Sequence, residues 1–351
     1  MSLMPAAYLV SFVKGFKVGY RKPEPLPPAM TMLRAIASIA AMARDVQLLN
    51  SVLSGQVAVS VMLPLARCCN HLKPLVPANL SIITRISELI AERTGVSLQR
   101  KAKCYLTLSA AAALVRAFDA SARGQLIPGI IAERLIGEVG VKSTRGGEAV
   151  LYEQSEAAHF DGDIQVVAPK QASEHRNTID RLTGAARPFV VTYMSVSSMM
   201  LLVDAPAQLD GQLDRALRLL GEVGVGGLRS RGLGRFTIER VRLPPEDERV
   251  LGNVVPLSRA RCGRYALVLG ELPLSSSTLD WESSFFEVYV VAGHTGPPYA
   301  QVLYGPYVVT HAGAIVRVGE CDGSPGVGRI ELGSGIIPST FIFNPLVIVG
   351  E

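Results

Sequence analysis

The stretch of sequence with the most evident chemistry is a loop rich in glycine and arginine, GVGGLRSRGLGRF, at residues 224–236. Its glycines accept positive φ angles and leave space for the backbone of a ligand to come close. Its three arginines, with no acidic residue between them, offer forked guanidinium groups, and backbone N–H groups add donors for a phosphodiester chain. The residues that we predict to contact phosphate are Gly226, Gly227, Arg229, Ser230, Arg231, Gly232, Gly234 and Arg235.

Two familiar nucleotide-binding motifs are excluded for this loop. No Gly-Lys-Ser or Gly-Lys-Thr follows it, so it is not a Walker A loop. It lacks the third glycine of the dinucleotide fingerprint, and it leads into a predicted strand rather than a helix. The alternative interpretation is a solvated turn stiffened by salt bridges, and the residues alone do not choose between that turn and a phosphate site.

A second polar segment, EHRNTIDRLTG at residues 174–184, precedes a long predicted strand. Arg176 and Arg181 can reach phosphate, and Asn177 can hydrogen-bond to ribose or to bases. We interpret His175 as a further polar contact rather than a general base. A third basic cluster, for which a solvated charged face is the alternative interpretation, comprises Arg100, Lys101 and Lys103, with Lys73 earlier in the chain.

Hydrolytic and metal chemistry find little support. None of the five histidines stands in HxH or HExxH spacing, which disfavours a zinc site. The HFDGD stretch at residues 159–163 is interpreted as a polar surface turn. The five cysteines include no CxxC pair, and their odd number argues against a disulfide scaffold, so we expect reduced thiols.

Composition excludes a disordered chain and does not indicate a membrane protein, because 48% of the residues are hydrophobic and 19% are charged. The longest uncharged apolar stretches, 188–203 and 332–350, contain serines, prolines or asparagine, and neither offers the ~20 continuous apolar residues of a membrane helix. The first basic residues follow the first apolar stretch, so we read no secretory signal. We predict a cytoplasmic protein without membrane contact.

The charge is distributed unevenly along the chain. Residues 265–351 hold two basic and eight acidic residues, a net charge of −6, so the rest of the chain carries +11. Such asymmetry favours a polyanionic partner for the basic part and a different partner for the acidic part. The 27 arginines against 8 lysines fit planar contacts to phosphate, although a GC-rich genome explains that bias equally well.

The coarse pattern of elements predicts an α+β fold. Without the segment at about 66–187, which we interpret as a long insertion, the chain runs strand–helix–strand twice. This is the β-α-β-β-α-β order of a ferredoxin-like domain, with the glycine-rich loop before its last strand. We place this first domain over residues 1–245. Its predicted helices lie at 30–49 and 209–220, and its predicted strands at 8–13, 57–65, 189–203 and 236–241.

A second, smaller and strand-rich domain is predicted over residues 246–351, after a charged linker at 244–249. Glycine and proline turns separate its candidate strands. These strands are predicted at 265–269, 285–292, 308–318 and 341–349.

Four features resemble the repeat-associated mysterious protein (RAMP) superfamily of CRISPR systems, and within it the type III-A (Csm) effector subunit that caps the 5′ end of the crRNA. GGLRSRGLGRF is similar to the glycine-rich loop of that family, and HRNTIDRLTG to its Asn-Ser-Ile-Asp/Asn-Arg-Leu-Thr-Gly segment. HLKP with the later RKAK resembles its Lys-Pro stretch and Lys-rich strand, and GPYVVTHAGAIVRVG with IPSTFIFNP resembles its second domain. The Ala-Ala-Arg-Pro turn after RLTG departs from the family pattern.

The resemblance implies two ferredoxin-like (RRM-like) domains and a non-catalytic, crRNA-binding subunit in antiviral defence, without a cofactor. It implies that residues 226–235 cradle phosphates of the repeat-derived 5′ handle, with Arg176, Asn177 and Arg181 near the RNA. Lys14 and Lys17, after the first strand, are further candidates. The implied protein partners are the large Cas-ten-type subunit and the backbone RAMP subunit of the Csm complex.

Two other functions stay open at this point. A RAMP-family pre-crRNA processing endoribonuclease would share the loop, but such enzymes commonly use a histidine base near the first helix, and residues 1–70 contain no histidine. A structural subunit without RNA contact would carry its basic residues only for solvation. Few aromatic residues are available to stack on bases, and the nearest candidates are Tyr20, Phe189 and Phe236.

Overall fold

The computed structural model describes most of the chain. The described residues are 5–19, 23–68, 71–78, 88, 91–92, 104–121, 128–145, 147–179, 182–276, 279–294, 303–319, 328–332 and 339–350. The helices are α1 (Ala29–Met42), α2 (Val46–Leu53), α3 (Leu108–Ser121), α4 (Pro128–Glu138), α5 (Ala157–Phe160), α6 (Asp210–Val223) and α7 (Pro245–Leu251).

The strands form six sheets of two to six strands each within the described residues, so the predicted α+β class is confirmed. In chain order they are β1 (Ala6–Phe12), β2 (Ala58–Val59), β3 (Leu65–Cys68), β4 (His71–Pro77), β5 (Cys104–Thr107), β6 (Val139–Ser143), β7 (Ala149–Glu153), β8 (Gln165–Val167), β9 (Lys170–Ile179), β10 (Ala186–Ser195), β11 (Ser198–Asp204), β12 (Phe236–Val241), β13 (Val254–Pro256), β14 (Tyr265–Val268), β15 (Leu279–Phe285), β16 (Val288–His294), β17 (Leu303–Thr310), β18 (Ile315–Val318), β19 (Gly328–Leu332), β20 (Ser339–Phe343) and β21 (Leu346–Val349).

The first sheet has the strand order β12-β1-β11-β2, and its neighbouring strands are antiparallel. Helices α1 and α6 pack against each other and against this sheet. Tyr8 on β1 donates a hydrogen bond to Asp214 on α6 at 2.6 Å. The elements β1-α1-β2 and β11-α6-β12 therefore follow the predicted order of strand, helix and strand twice.

Two predicted elements of this part are each divided in the structure. The helix expected over 30–49 is α1 followed by α2, because Arg44 takes a φ of 56° and Asp45 caps α2 by accepting the Leu48 N–H at 3.0 Å. The strand expected over 189–203 is β10 and β11, which belong to different sheets. The pattern of apolar residues does not predict either break, because the residues on both sides of each break are apolar.

The predicted insertion holds a sheet of its own, with the order β6-β7-β5-β4-β3-β8, and strand β9, which pairs with β10 just beyond the insertion in a separate hairpin. Helix α3 contacts β4, β5 and β7 of this sheet as well as β14 and β21 further along the chain. Its alanines at 110–113 are all buried, which is the pattern of a helix covered on several sides.

The C-terminal part contains a five-stranded antiparallel sheet with the order β13-β21-β14-β18-β15. Between β13 and β21, the described residues include no α-helix, and the helix that packs on this sheet is α3. One hydrophobic core joins the parts of the chain, as in the contact between the rings of Phe118 and Tyr265, whose centroids lie 5.3 Å apart. The division at residues 245–246 stays a prediction.

The charged linker predicted at 244–249 is not a linker, because residues 245–251 form α7 and Asp247 is fully buried. Lys73 on β4 is also fully buried, and its Nζ lies 3.2 Å from the Asp247 carboxylate and 2.8 Å from that of Glu156. Thr107 donates a further hydrogen bond to Glu156 at 2.6 Å. These buried ion pairs therefore link α7 to the sheet of the insertion.

A buried carboxylate also caps the first helix. Pro28, which precedes α1, has no side chain that can accept a hydrogen bond. Glu271 from the C-terminal part accepts the Ala29 and Met30 N–H groups at 3.3 and 3.2 Å instead. Burial raises the pKa of Glu271 to about 7, although the two N–H groups oppose the shift.

This raised pKa predicts a pH-dependent stability. The folded state holds the Glu271 proton more tightly than the unfolded state, so this group lowers the free energy of unfolding as the pH rises from about 4.5 to about 7. Relative to Glu271→Gln, we expect the wild type to lose up to ~1.4 kcal/mol per pH unit in this window. Urea unfolding of both proteins across the window tests this, and a difference that stays constant with pH would contradict it.

The described cysteines include both free thiols and a disulfide-bonded residue. Cys68 and Cys104 are free and buried, as expected. Cys262 is disulfide-bonded, so the expectation of reduced thiols is wrong at this position.

None of the helices in the described ranges is both long and apolar enough to cross a membrane.

Candidate nucleic-acid interface

The segment that follows β1, residues 13–18, holds the glycine-rich loop in place, and we call it the connecting segment. The N–H of Gly234 donates to the carbonyl of Gly15 at 2.7 Å, and the N–H of Gly227 donates to the carbonyl of Lys17 at 2.7 Å. The loop between α6 and β12 is thus hydrogen-bonded along the continuation of β1. The connecting segment contains Lys14 and Lys17, and the loop contains three arginines. These two segments lie far apart along the chain but are adjacent in the fold.

The other edge of the connecting segment pairs with the hairpin β9–β10. Phe16 and Met194 exchange both of their backbone hydrogen bonds, at 2.9 and 2.8 Å. Both side chains are buried, so this pairing is part of the core rather than a surface contact. The connecting segment therefore lies between the glycine-rich loop and β10 and sets the position of one relative to the other.

The glycines of the loop serve two different purposes. A Cβ atom at Gly226 would overlap the carbonyl oxygen of Lys17, and one at Gly234 would overlap that of Val225, so both positions require glycine for the chain to approach itself. At Gly232, no heavy atom of the described residues lies within 4 Å of such a Cβ. Gly226 and Gly234 thus let the chain approach itself, whereas Gly232, whose φ of 84° also favours glycine, leaves open space beside the arginines.

The loop has a buried base and an exposed rim. Val225 and Leu233 are buried and anchor it to the core. Leu228 takes the left-handed conformation, with a φ of 59°, immediately before a single 3₁₀ turn that contains the arginines. The exposed residues at the rim are Gly227, Arg229, Ser230, Arg231 and Arg235.

The hairpin turns one face towards these residues. Side chains alternate between the two faces of a strand, and directly paired residues share a face. Arg176 on β9 pairs with Phe189 on β10, and Glu174 pairs with Val191. Along β9 the residues at even numbers from 172 to 176 are partly buried, whereas their odd-numbered neighbours are exposed.

Contacts across this face join the three segments. Lys14 forms an ion pair with Glu174 at 2.7 Å, and Arg176 forms another at 3.0 Å. The Lys14 ammonium also lies 5.6 Å from the centroid of the Tyr193 ring, and the Arg231 guanidinium lies 5.1 Å from that of Phe189. We call this group the cationic strip, and it comprises Lys14, Glu174, Arg176, Phe189, Tyr193 and Arg231.

Glu174 is the acidic member of the strip and stays ionised at neutral pH. The hydrogen bonds from Lys14 and Arg176 lower the pKa of its carboxyl group. The positive charges of Lys14 and Arg176 are therefore partly neutralised by the Glu174 carboxylate. Arg231 instead faces an aromatic ring, and the strip as a whole keeps a net positive charge.

The remaining predicted site residues lie elsewhere. His175 and Asn177 are exposed on the opposite face of the hairpin from Arg176, so the structure does not bring them into the strip. Lys17 is partly buried and contributes its backbone carbonyl to the loop. The predicted residues Arg100, Lys101, Lys103, Arg181 and Tyr20 lie outside the described residues.

Comparison with solved structures gives the fold a precedent. The chain is similar to a chain of the crystal structure of the Csm3–Csm4 subcomplex in the type III-A CRISPR-Cas interference complex, with 12% identity over 98% of this chain and 99% of that chain and a TM-score of 0.54. The chain has the fold of a Csm RAMP-like subunit. This confirms, for the fold, the resemblance predicted from the sequence.

Weaker similarities to the Csm-like fold accompany this one. A chain of the Csm1–Csm4 cassette in complex with pppApA matches with 16% identity over 99% of both chains and a TM-score of 0.44. A chain of the type III-B Cmr-beta complex bound to cognate target RNA and AMPPnP matches with 9% identity over 88% of this chain and 85% of that chain, also with a TM-score of 0.44. No family model matches the sequence, and no curated protein matches it.

Burial removes two residues from the list of candidates. Lys73 is fully buried among carboxylates, so it is not a surface contact for RNA. Phe236 is buried against Phe12, with ring centroids 5.7 Å apart, so it is not exposed for stacking on a base.

Within the described ranges, no group of three His, Cys, Asp or Glu residues is arranged to hold a metal ion.

Two members of the cationic strip, Glu174 and Tyr193, were not singled out from the sequence. The turn at Leu182 and Thr183 was the signal that could have found them. A hairpin folded about that turn pairs 176 with 189 and 174 with 191, which places Glu174 and Arg176 on the same face as the aromatic residues of β10. The local pattern of residues instead predicts a strand only from residue 189, after this segment.

Removal of the negative charge of Glu174 from the strip is expected to increase the affinity for RNA. Glu174→Gln removes the negative charge and releases Lys14 and Arg176, so we expect tighter binding of single-stranded RNA by about threefold at low salt. Titration of a labelled RNA by fluorescence anisotropy measures this. Glu239→Gln, an exposed residue on β12, serves as the control. Weaker binding by Glu174→Gln would show that the ion pairs hold the strip in its binding geometry.

Proposed function

We propose that this chain is a non-catalytic, crRNA-binding subunit of a type III CRISPR effector complex that holds the repeat-derived 5′ handle. One observation carries the proposal. The glycine-rich loop, the connecting segment and the hairpin, which lie far apart in the sequence, converge on one surface with exposed arginines. The Csm-like fold supports the proposed setting.

The chemistry of this surface suits an RNA backbone. Guanidinium groups donate forked hydrogen bonds to phosphate, and Arg229, Arg231 and Arg235 are all exposed on one short loop. Gly232 leaves room for a ribose-phosphate chain to approach the loop. The hairpin adds Arg176 and, on the same face, the rings of Phe189 and Tyr193. Phosphate contacts of this kind fix the path of a strand, which is what a subunit that holds an RNA end requires.

We further propose that the first sheet with α1 and α6 forms a ferredoxin-like domain. Its strand order and its repeated strand–helix–strand connection support this assignment. The C-terminal sheet, with α3 packed on it, would then be the second unit of the predicted pair.

For partners, we propose the large Cas-ten-type subunit and the backbone RAMP subunit of a Csm complex. The similar solved structures are a Csm3–Csm4 subcomplex and Csm1–Csm4 cassettes, so chains of this fold occur beside other subunits. The acidic C-terminal part, with its net charge of −6 over 265–351, fits a protein contact better than an RNA contact.

The proposal is tested by the RNA that accompanies the protein. We expect RNA extracted from the purified complex to begin with one repeat-derived 5′ sequence. The purified chain alone should bind that RNA with strong salt dependence and leave repeat RNA uncut. Repeat RNA cut at one position, with the cut lost in His175→Ala, would favour the processing endoribonuclease instead.

A further inference from the structure

One aromatic residue in the cationic strip stands out by its surroundings. Phe189 is partly buried on β10, opposite Arg176, and its ring faces the guanidinium of Arg231 at 5.1 Å. The ring therefore lies at the junction between the hairpin and the exposed rim of the glycine-rich loop. It is flanked by cations from two different segments of the chain.

From this arrangement, and resting on the proposed function, we propose that Phe189 is a stacking site for an unpaired RNA base. In the free protein Arg231 covers the ring, and on binding the base takes that place while the guanidinium moves to a neighbouring phosphate. The ligand class is single-stranded RNA with an unstacked base.

The energies favour this exchange. A guanidinium over an exposed ring contributes ~0.5–1 kcal/mol, whereas a base stacked on an aromatic side chain contributes ~1–3 kcal/mol. The displaced guanidinium gains a charge-assisted hydrogen bond to phosphate, which is stronger than a neutral one. Arg231 is exposed and immediately precedes Gly232, where the described residues leave open space, so its side chain has room to move away from the ring.

The same arrangement recurs one step along the strip. Tyr193 lies on the same face of β10, four residues beyond Phe189, and Lys14 lies 5.6 Å from its ring centroid. Four residues of extended strand span ~13 Å, which is much more than the ~3.4 Å between stacked bases. The two rings therefore suit separate, splayed bases rather than one continuous stack.

The experiment separates base contacts from backbone contacts. The purified full chain is titrated with a short single-stranded RNA and with an abasic RNA of the same length, which keeps the sugar–phosphate backbone. We expect Phe189→Ala to lower the affinity for the RNA about tenfold and to leave the affinity for the abasic RNA unchanged. Phe189→Leu, which keeps apolar bulk without a ring, should behave as Phe189→Ala does, and Phe189→Trp should retain binding.

Val190→Ala is the matched control, because Val190 is the exposed neighbour on the opposite face of the same strand. Equal binding of the RNA by wild type and Phe189→Ala would overturn the stacking proposal, as would an equal loss for both RNAs. If the wild type binds both RNAs equally tightly, stacking is wrong and RNA binding stands. If the wild type binds neither, the proposed function itself fails.

Discussion

Glutamate in place of both Arg229 and Arg231 is expected to lower the affinity for crRNA by about a hundredfold or more. Each arginine is exposed at the rim of the loop, where its guanidinium can donate to phosphate. A hydrogen bond to a charged group contributes ~1.5–3 kcal/mol, and two such losses together exceed a factor of 100. Reversal of the charges adds repulsion from the RNA backbone. Filter binding at several salt concentrations measures both the affinity and its salt dependence.

The salt dependence makes this prediction specific. For single strands, each lost phosphate contact reduces the slope of log affinity against log salt by ~0.7, so we expect the double variant to lose ~1.4 from the slope. Arg215→Glu with Arg218→Glu on α6 is the matched control, since it makes the same change in net charge at exposed positions of another element. An equal loss of affinity in the control would mean that net charge, and not the loop, governs binding.

Methionine in place of Lys73 is expected to destabilise the fold by ~3–5 kcal/mol. The substitution leaves the Glu156 and Asp247 carboxylates buried without a cation, and such an uncompensated charge is among the most costly defects in a protein interior. Burial alone would lower the pKa of Lys73, but these two carboxylates outweigh burial and raise it, which shows how strongly the site favours the cation. Chemical denaturation of wild type and variant gives the free energy of unfolding.

The effect of pH and a second substitution test the physical reason. Burial raises the pKa of Asp247 to about 7, and loss of Lys73 raises it further, so the variant should be less destabilised at pH 5 than at pH 8. Adding Asp247→Asn to Lys73→Met should recover part of the loss, because it removes one buried charge. Lys170→Met, at an exposed position, is the control. A loss that is equal at both pH values and unchanged by Asp247→Asn would contradict the account.

Local residue patterns predicted the first sheet and the glycine-rich loop. The order of strands and helices follows from apolar periodicity and from glycine and proline breaks, and these signals are local in the chain. The loop was recognisable because glycine and arginine types report directly on backbone freedom and on charge. Gly226 and Gly234 also allow the chain to approach itself, a role that the sequence did not predict.

Long-range pairing could not be predicted in the same way. Lys73 reads as a basic surface residue until the fold brings Glu156 and Asp247 around it from 83 and 174 residues away. Helix α3 reads as part of an insertion, although it packs on the C-terminal sheet as well as on its own. The cationic strip depends on the register of the hairpin. Because side chains alternate along β9, Arg176 lies on one face and its neighbours His175 and Asn177 lie on the other.

We propose that the glycine-rich loop holds the 5′ handle of the crRNA. Photo-crosslinking within the purified effector complex tests this proposal, with a photoreactive nucleotide in the handle and identification of the crosslinked peptides by mass spectrometry. We expect crosslinked peptides that contain residues 226–235, and the same crosslinks should be lost when Arg229 and Arg231 are both changed to glutamate. Handle crosslinks that fall only on other subunits, with the loop unmodified, would contradict the account.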